Sequence, residues 1–112
     1  SNSPTFFNTG NDLHQSLNAQ DKFGYTPLMF AIDKADFERV ELLLSYNPDL
    51  NLKNKGTESG EGQTALELAQ CNLKQYHENG GSNKHIIESY VKMIDALEKH
   101  LKANVLSHKK MN

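Results

Sequence analysis

Apolar positions keep helical spacing along most of the chain, and polar, glycine-rich stretches divide the helical segments from one another. Residues 1–10 show no sustained period and carry one aromatic pair, Phe6-Phe7. Leu13 and Leu17, four apart, predict a short helical stub that Asn11 or Asp12 can cap. A sharper start follows at Thr26-Pro27, with a side-chain cap and then a proline at the first helical position, where its missing N–H costs nothing. Leu28, Ala31, Ile32 and Ala35 line one face of that helix. Asp36 can cap a second helix whose Phe37, Val40, Leu43 and Leu44 share a face. It should stop near Tyr46, because Pro48 biases Asn47 away from the helical region and Asn tolerates the left-handed conformation that ends helices.

Residues 53–63 hold three glycines and no aliphatic side chain, which predicts a polar loop. Thr64 and Glu67 then have the spacing of a capping box, so a third helix is expected from there to about Leu73. Gly80-Gly81 breaks the pattern. Beyond it Ile86, Ile87, Tyr90, Val91, Ile94, Leu97 and Leu101 predict one long helix, with a polar, basic and frayed tail from Asn104.

The chain repeats itself: Thr26 and Thr64 lie 38 residues apart, and GYTPLMFA corresponds to GQTALELA. The stretch TPLMFA at Thr26 to Ala31 is similar to the T-P-L-H-x-A motif of ankyrin repeats, whose period is about 33 residues. The resemblance covers Asp21 to Asn51 without a gap, through Asp21, Gly24, Thr26, Pro27, Leu28 and Ala31, and then Val40, Leu42, Leu43, Leu44, Asp49 and Asn51. Met29, Ala35 and Asn47-Pro48 depart from the pattern, standing where the family has His, Gly and Gly-Ala. In the second copy about five extra residues fall between Thr57 and Gly62 and about thirteen near Lys74 to Ser82, if Val91 takes the place of Val40. Before Asp21, only Leu17-Asn18 resembles the end of a preceding repeat.

The resemblance implies an all-α fold, a short ankyrin-repeat-like solenoid of helix-turn-helix units with an extended C-terminal helix. The expected division is an N-terminal arm and capping stub over 1–20, a first repeat over 21–53, a degenerate second repeat over 54–103 and a basic tail over 104–112. Each helix pair exposes an apolar face that only a neighbour can cover, so the stub with Phe6, Phe7, Leu13 and Leu17 should cover one end and the last helix the other. By the same resemblance the function is to bind another protein through the turn tips and the first-helix face. In the first copy Lys22, Phe23 and Tyr25 alternate with framework residues and should point outward, and Asp33 and Lys34 fall on the exposed end of the first helix. Gln63 and Asn72 occupy matching positions in the second copy, where Glu58 and Glu61 add an acidic rim suited to a partner with a basic patch. The two rival readings are a homodimerising module built on the Ile87, Tyr90, Ile94, Leu97, Leu101 stripe, and a segment that targets a larger enzyme or a secreted bacterial effector.

Composition narrows the rest. The 112 residues suffice for one small unit, and a net charge of −2 removes the electrostatic argument for nucleic acid. Cys71 is the single cysteine, so no internal disulfide or multi-cysteine zinc site can form, and a reducing, intracellular compartment is expected. No apolar run approaches the length that spans a bilayer. Ser1-Asn2 without an initiator Met reads as a remnant of tag removal, and the chain is expected to be a piece of a longer protein. No catalytic constellation, metal site or cofactor is expected. Cys71 and His77 lack a third group placed to orient the imidazole, and His77 and His85 flank Gly80-Gly81 without placed carboxylates. Glu58 and Glu61 would repel a phosphate from the Gly56 to Gly62 loop, and the Lys99 to Lys110 cluster reads as a solvated helix end. The module is expected to be a monomer, its last-helix stripe packing on the preceding helix pair.

Overall fold

Four local signals start the four helices. Thr26 accepts from the Met29 N–H at 3.3 Å, and Asp36 accepts from the Arg39 N–H at 3.2 Å. Thr64 and Glu67 exchange bonds of 3.3 and 3.0 Å in a full capping box, and the Asn83 side chain accepts from the His85 N–H at 2.9 Å. The computed structural model describes residues 17–56 and 61–110, with side chains as far as Asn104, and among these are four α-helices and no strand. They are α1 (Pro27–Asp33), α2 (Phe37–Leu44), α3 (Ala65–Glu78) and α4 (Lys84–Lys110). Phe6, Phe7 and Leu13 lie outside the described residues; Leu17 is helical and buried.

The helices form two antiparallel pairs that stack inner on inner, α1 against α3, and outer on outer, α2 against α4. The all-α repeat architecture expected from the sequence is therefore the one observed. One core joins the pairs: Leu28, Met29, Ala31 and Ile32 of α1, Val40 and Leu44 of α2, Ala65, Leu68 and Ala69 of α3, and Tyr90, Met93 and Leu97 of α4. Leu17 and Leu50 are both buried and stand 33 residues apart, so Leu17-Asn18 holds the place in front of the first helix pair that Leu50 holds in front of the second. The Asn18 carboxamide accepts from the Asp49 N–H at 2.8 Å and ties the two places together.

Three expectations are corrected. The third helix does not end at Leu73 but continues to Glu78, and the first left-handed residue beyond it is Gly80. There Gly80 N–H and Gly81 N–H bond back to His77 O and Tyr76 O, at 3.0 and 2.8 Å, and close the helix. The inserted residues are thus largely two added helical turns rather than a loop. The inward position of α4 is not Val91, which is 51% exposed, but Met93, which is wholly buried, with Tyr90 and Leu97 beside it. The backbone from Asn104 does not fray at once; it stays helical to Lys110.

The turn between α1 and α2 uses the same closing bonds around Ala35, whose φ of 55° is left-handed although it carries a Cβ. The substitution Ala35→Gly should relieve that conformation and raise stability by up to about 1 kcal/mol, net of the lost methyl packing and the freer unfolded chain. Urea unfolding of the two proteins side by side measures it.

Candidate functional site

Two finger-like turns project from the helix pairs, and the same chemistry builds both. In the first, the Asp21 N–H donates to Tyr25 O at 3.0 Å and the Gly24 N–H to Asp21 O at 2.9 Å. The Asp21 carboxylate accepts from the N–H groups of Phe23 and Tyr25, each at 2.9 Å. In the second, the Asn54 N–H donates to Gln63 O at 3.0 Å, and the Asn54 carboxamide oxygen accepts from Gly56 and Gln63 at 3.1 and 2.9 Å. An Asp in one finger and an Asn in the other do one job, because only a side-chain oxygen that accepts from the amide two residues on and from the one that closes the finger is required.

The fingers are fastened to each other. The Lys55 N–H donates to Phe23 O at 2.9 Å, and the Gln20 carboxamide donates to Gly24 O at 3.0 Å and Lys53 O at 2.8 Å. Phe23 stands at the tip of this edge, 60% exposed, with the Lys22 ammonium 5.2 Å from its ring centre. Lys22 is exposed as well.

Tyr25 differs from expectation. It does not point outward but lies half-buried against Phe30, ring centres 5.2 Å apart. The Asp21 carboxylate grips the backbone at both Phe23 and Tyr25, so the segment is a turn and the alternation of an extended strand does not apply. Burial first, then donation to the Asp33 carboxylate and the charges of Asp33 and Asp21, push the Tyr25 hydroxyl up to about 12. It is therefore a neutral donor at any physiological pH.

Asp33 also accepts from the Asn72 carboxamide at 2.8 Å, a bond that joins the end of α1 to α3. Burial pushes the Tyr90 hydroxyl of α4 up, with the nearby Asn72 carboxamide opposing and the Asp33 charge adding to that push. Tyr25, Asp33 and Asn72 are thus one polar chain across the inner-helix face. Lys34 and Glu61 are exposed, and Gln63 is half-buried where its backbone closes the second finger. Glu58 lies outside the described residues.

Residue-by-residue reading missed three members of this surface. Phe30, 46% exposed, was visible as an aromatic off the apolar stripe of α1. Tyr90 was assigned to packing, and it is buried behind that surface with its hydroxyl near Asn72. Gln20 bridges to Lys53, its own equivalent one repeat later, and nothing in a single sequence marks such a side chain. Among the described residues no three His, Cys, Asp or Glu side chains are grouped to hold a metal ion, and no helix is long and apolar enough to cross a membrane.

Comparison with known proteins matches residues 11–69 to the family described as ankyrin repeats (many copies). An ankyrin repeat protein of Rickettsia bellii (strain RML369-C) is 36% identical over 52 residues, a stretch covering 46% of this chain and 28% of that protein. The chain thus spans well under half the length of this relative. No solved structure matches.

Proposed function

The chain belongs to the ankyrin-repeat family, whose repeats are generally protein-interaction modules, and from that premise we propose that it binds a partner protein along its two fingers and the adjoining face of α1. The observation that supports this most is the fastened finger edge with Phe23 at its tip. A large aromatic left in water on a hydrogen-bonded, preorganised edge suits a contact hot spot, since little order has to be imposed on binding. Lys22, Asp33, Lys34 and Glu61 supply the polar surround, Gln63 and Asn72 extend it to the second repeat, and Tyr25 backs Phe30 from within. Glu58 and Glu61 favour a partner with a basic patch and an association that weakens with salt. The module works as a monomer, because Tyr90 and Leu97 of the stripe that would drive a dimer are buried inside the chain. No chemistry or cofactor is assigned to it. We place it in a reducing compartment, where one half-buried cysteine stays free.

Affinity purification with the folded domain identifies the partner, and titration of that partner then tests the surface. Phe23→Ala should weaken binding by roughly 2 kcal/mol while the helical circular-dichroism signal and melting midpoint stay at the parent values. Tyr25→Phe keeps the ring against Phe30 and removes only the donation to Asp33, so it separates support of the surface from contact with the partner. Unchanged affinity for Phe23→Ala removes the first finger from the interface.

A further inference from the structure

The turn between α3 and α4 carries a reactive pair that the candidate site does not use. Of the chain's asparagines only Asn79 is followed by glycine. With no side chain on Gly80, nothing shields its amide nitrogen from the Asn79 carboxamide carbon, and joining the two closes a succinimide ring. Both residues are exposed, and a methyl added to Gly80 would meet nothing within 4 Å, so the ring and an attacking water have room.

The folded turn holds this reaction back. Gly80 N–H donates to His77 O at 3.0 Å, which occupies the nitrogen that has to attack. Asn79 has φ of −88° and ψ of 11°, a setting that turns that nitrogen away from its side chain, because ring closure needs Cβ, Cα, C and N close to one plane. Tyr76 then straps the turn. Its hydroxyl accepts from the Asn83 N–H at 3.0 Å, its backbone oxygen accepts from the Gly81 N–H at 2.8 Å, and its ring lies so close to Gly81 that a Cβ there would strike it. All of this sits at an exposed helix end, where opening costs least.

We propose that Asn79 is a self-modifying site, at which fraying of the last turn of α3 frees the Gly80 nitrogen to attack. That nitrogen gives its proton to solvent base and bonds to Asn79 Cγ, and the carboxamide nitrogen leaves as ammonia. Water then adds to either ring carbonyl and opens the ring. One opening gives aspartate; the other gives isoaspartate, whose backbone runs through the side-chain carbon. Solvent water is the only co-reactant. Either product puts a negative charge at the C-terminal end of α3 beside Glu78, where the helix dipole opposes it. Isoaspartate also lengthens the backbone between the closing bonds, so the turn cannot reclose as before.

Incubation of the full chain at mildly alkaline pH tests this, read by peptide mapping, ammonia release and labelling with an isoaspartyl methyltransferase and its methyl donor. Asn79 should convert ahead of every other asparagine, more slowly than in the same chain unfolded in urea. Asn79→Gln should abolish the signal, because the ring would have to be larger. Tyr76→Phe keeps the ring on Gly81 and removes the acceptor for Asn83, and it should speed conversion by about fivefold. Leu43→Ala, on α2, weakens the whole domain without touching this turn and should leave the rate unchanged. A native chain that stays intact while the unfolded chain is consumed overturns the proposal, and so does a native rate equal to the unfolded one. Tyr76→Phe at the parent rate overturns it as well, as does equal acceleration by Leu43→Ala, which would route the reaction through global unfolding.

Discussion

Gly24→Ala should destabilise the protein by about 2 to 5 kcal/mol, enough to leave a domain this small largely unfolded. Two separate penalties add. Gly24 has φ of +80°, where an L-residue with a Cβ loses about 1 to 2 kcal/mol. The new Cβ would also stand 2.7 Å from Lys55 N and 2.8 Å from Asn54 Cα. Both are backbone atoms of the neighbouring finger, which cannot rotate aside as a side chain would, and forced overpacking of this kind adds about 1 to 3 kcal/mol. Gly80→Ala is the control. Gly80 has φ of +84° but nothing within 4 Å of the added methyl, so it should show the conformational penalty alone. Urea unfolding of both variants isolates the clash, and equal losses would show that the fingers do not pack as closely as described.

Met93→Ala should cost about 2 to 5 kcal/mol, as truncation of a fully buried side chain does, while Val91→Ala should stay within about 0.5 kcal/mol of the parent. Met93 has no exposed surface and Val91 is half in solvent, so a pair of thermal melts reads the rotation of α4 directly. The reverse ranking would restore Val91 as the counterpart of Val40 and turn the helix by about half a turn.

That ambiguity shows where the sequence stops being informative. Thr26-Pro27, Asp36 and the Thr64 to Glu67 box were legible because caps act over three or four residues and depend on nothing distant. Asn47 was legible for the same reason, and it does take a left-handed φ of 60°. The inward face of α4 was not, because Ile86, Ile87, Tyr90, Val91 and Ile94 spread apolar side chains over an arc of about 140°, broader than the seam that is buried. Only the helices it lands on select Tyr90, Met93 and Leu97. The candidate site divides the same way. The fingers were found through their repeat register, but Tyr25 turned inward because of what the Asp21 carboxylate holds, and the Asp33–Asn72 bond joins residues 39 apart.

The placement of α4 has a consequence for how the chain comes apart. In a long solenoid each unit touches only its neighbours, and the array can peel from an end one unit at a time. Here α4 leans on its own partner α3 and on α2 of the other pair, and the Lys92 ammonium sits 5.7 Å from the ring centre of Phe37 across that seam. Loosening α4 uncovers both pairs together, and so does loosening α2. No half of the molecule can open and leave the other intact, so a protease or an unfoldase meets either the closed structure or the open chain, with no stable remnant between them.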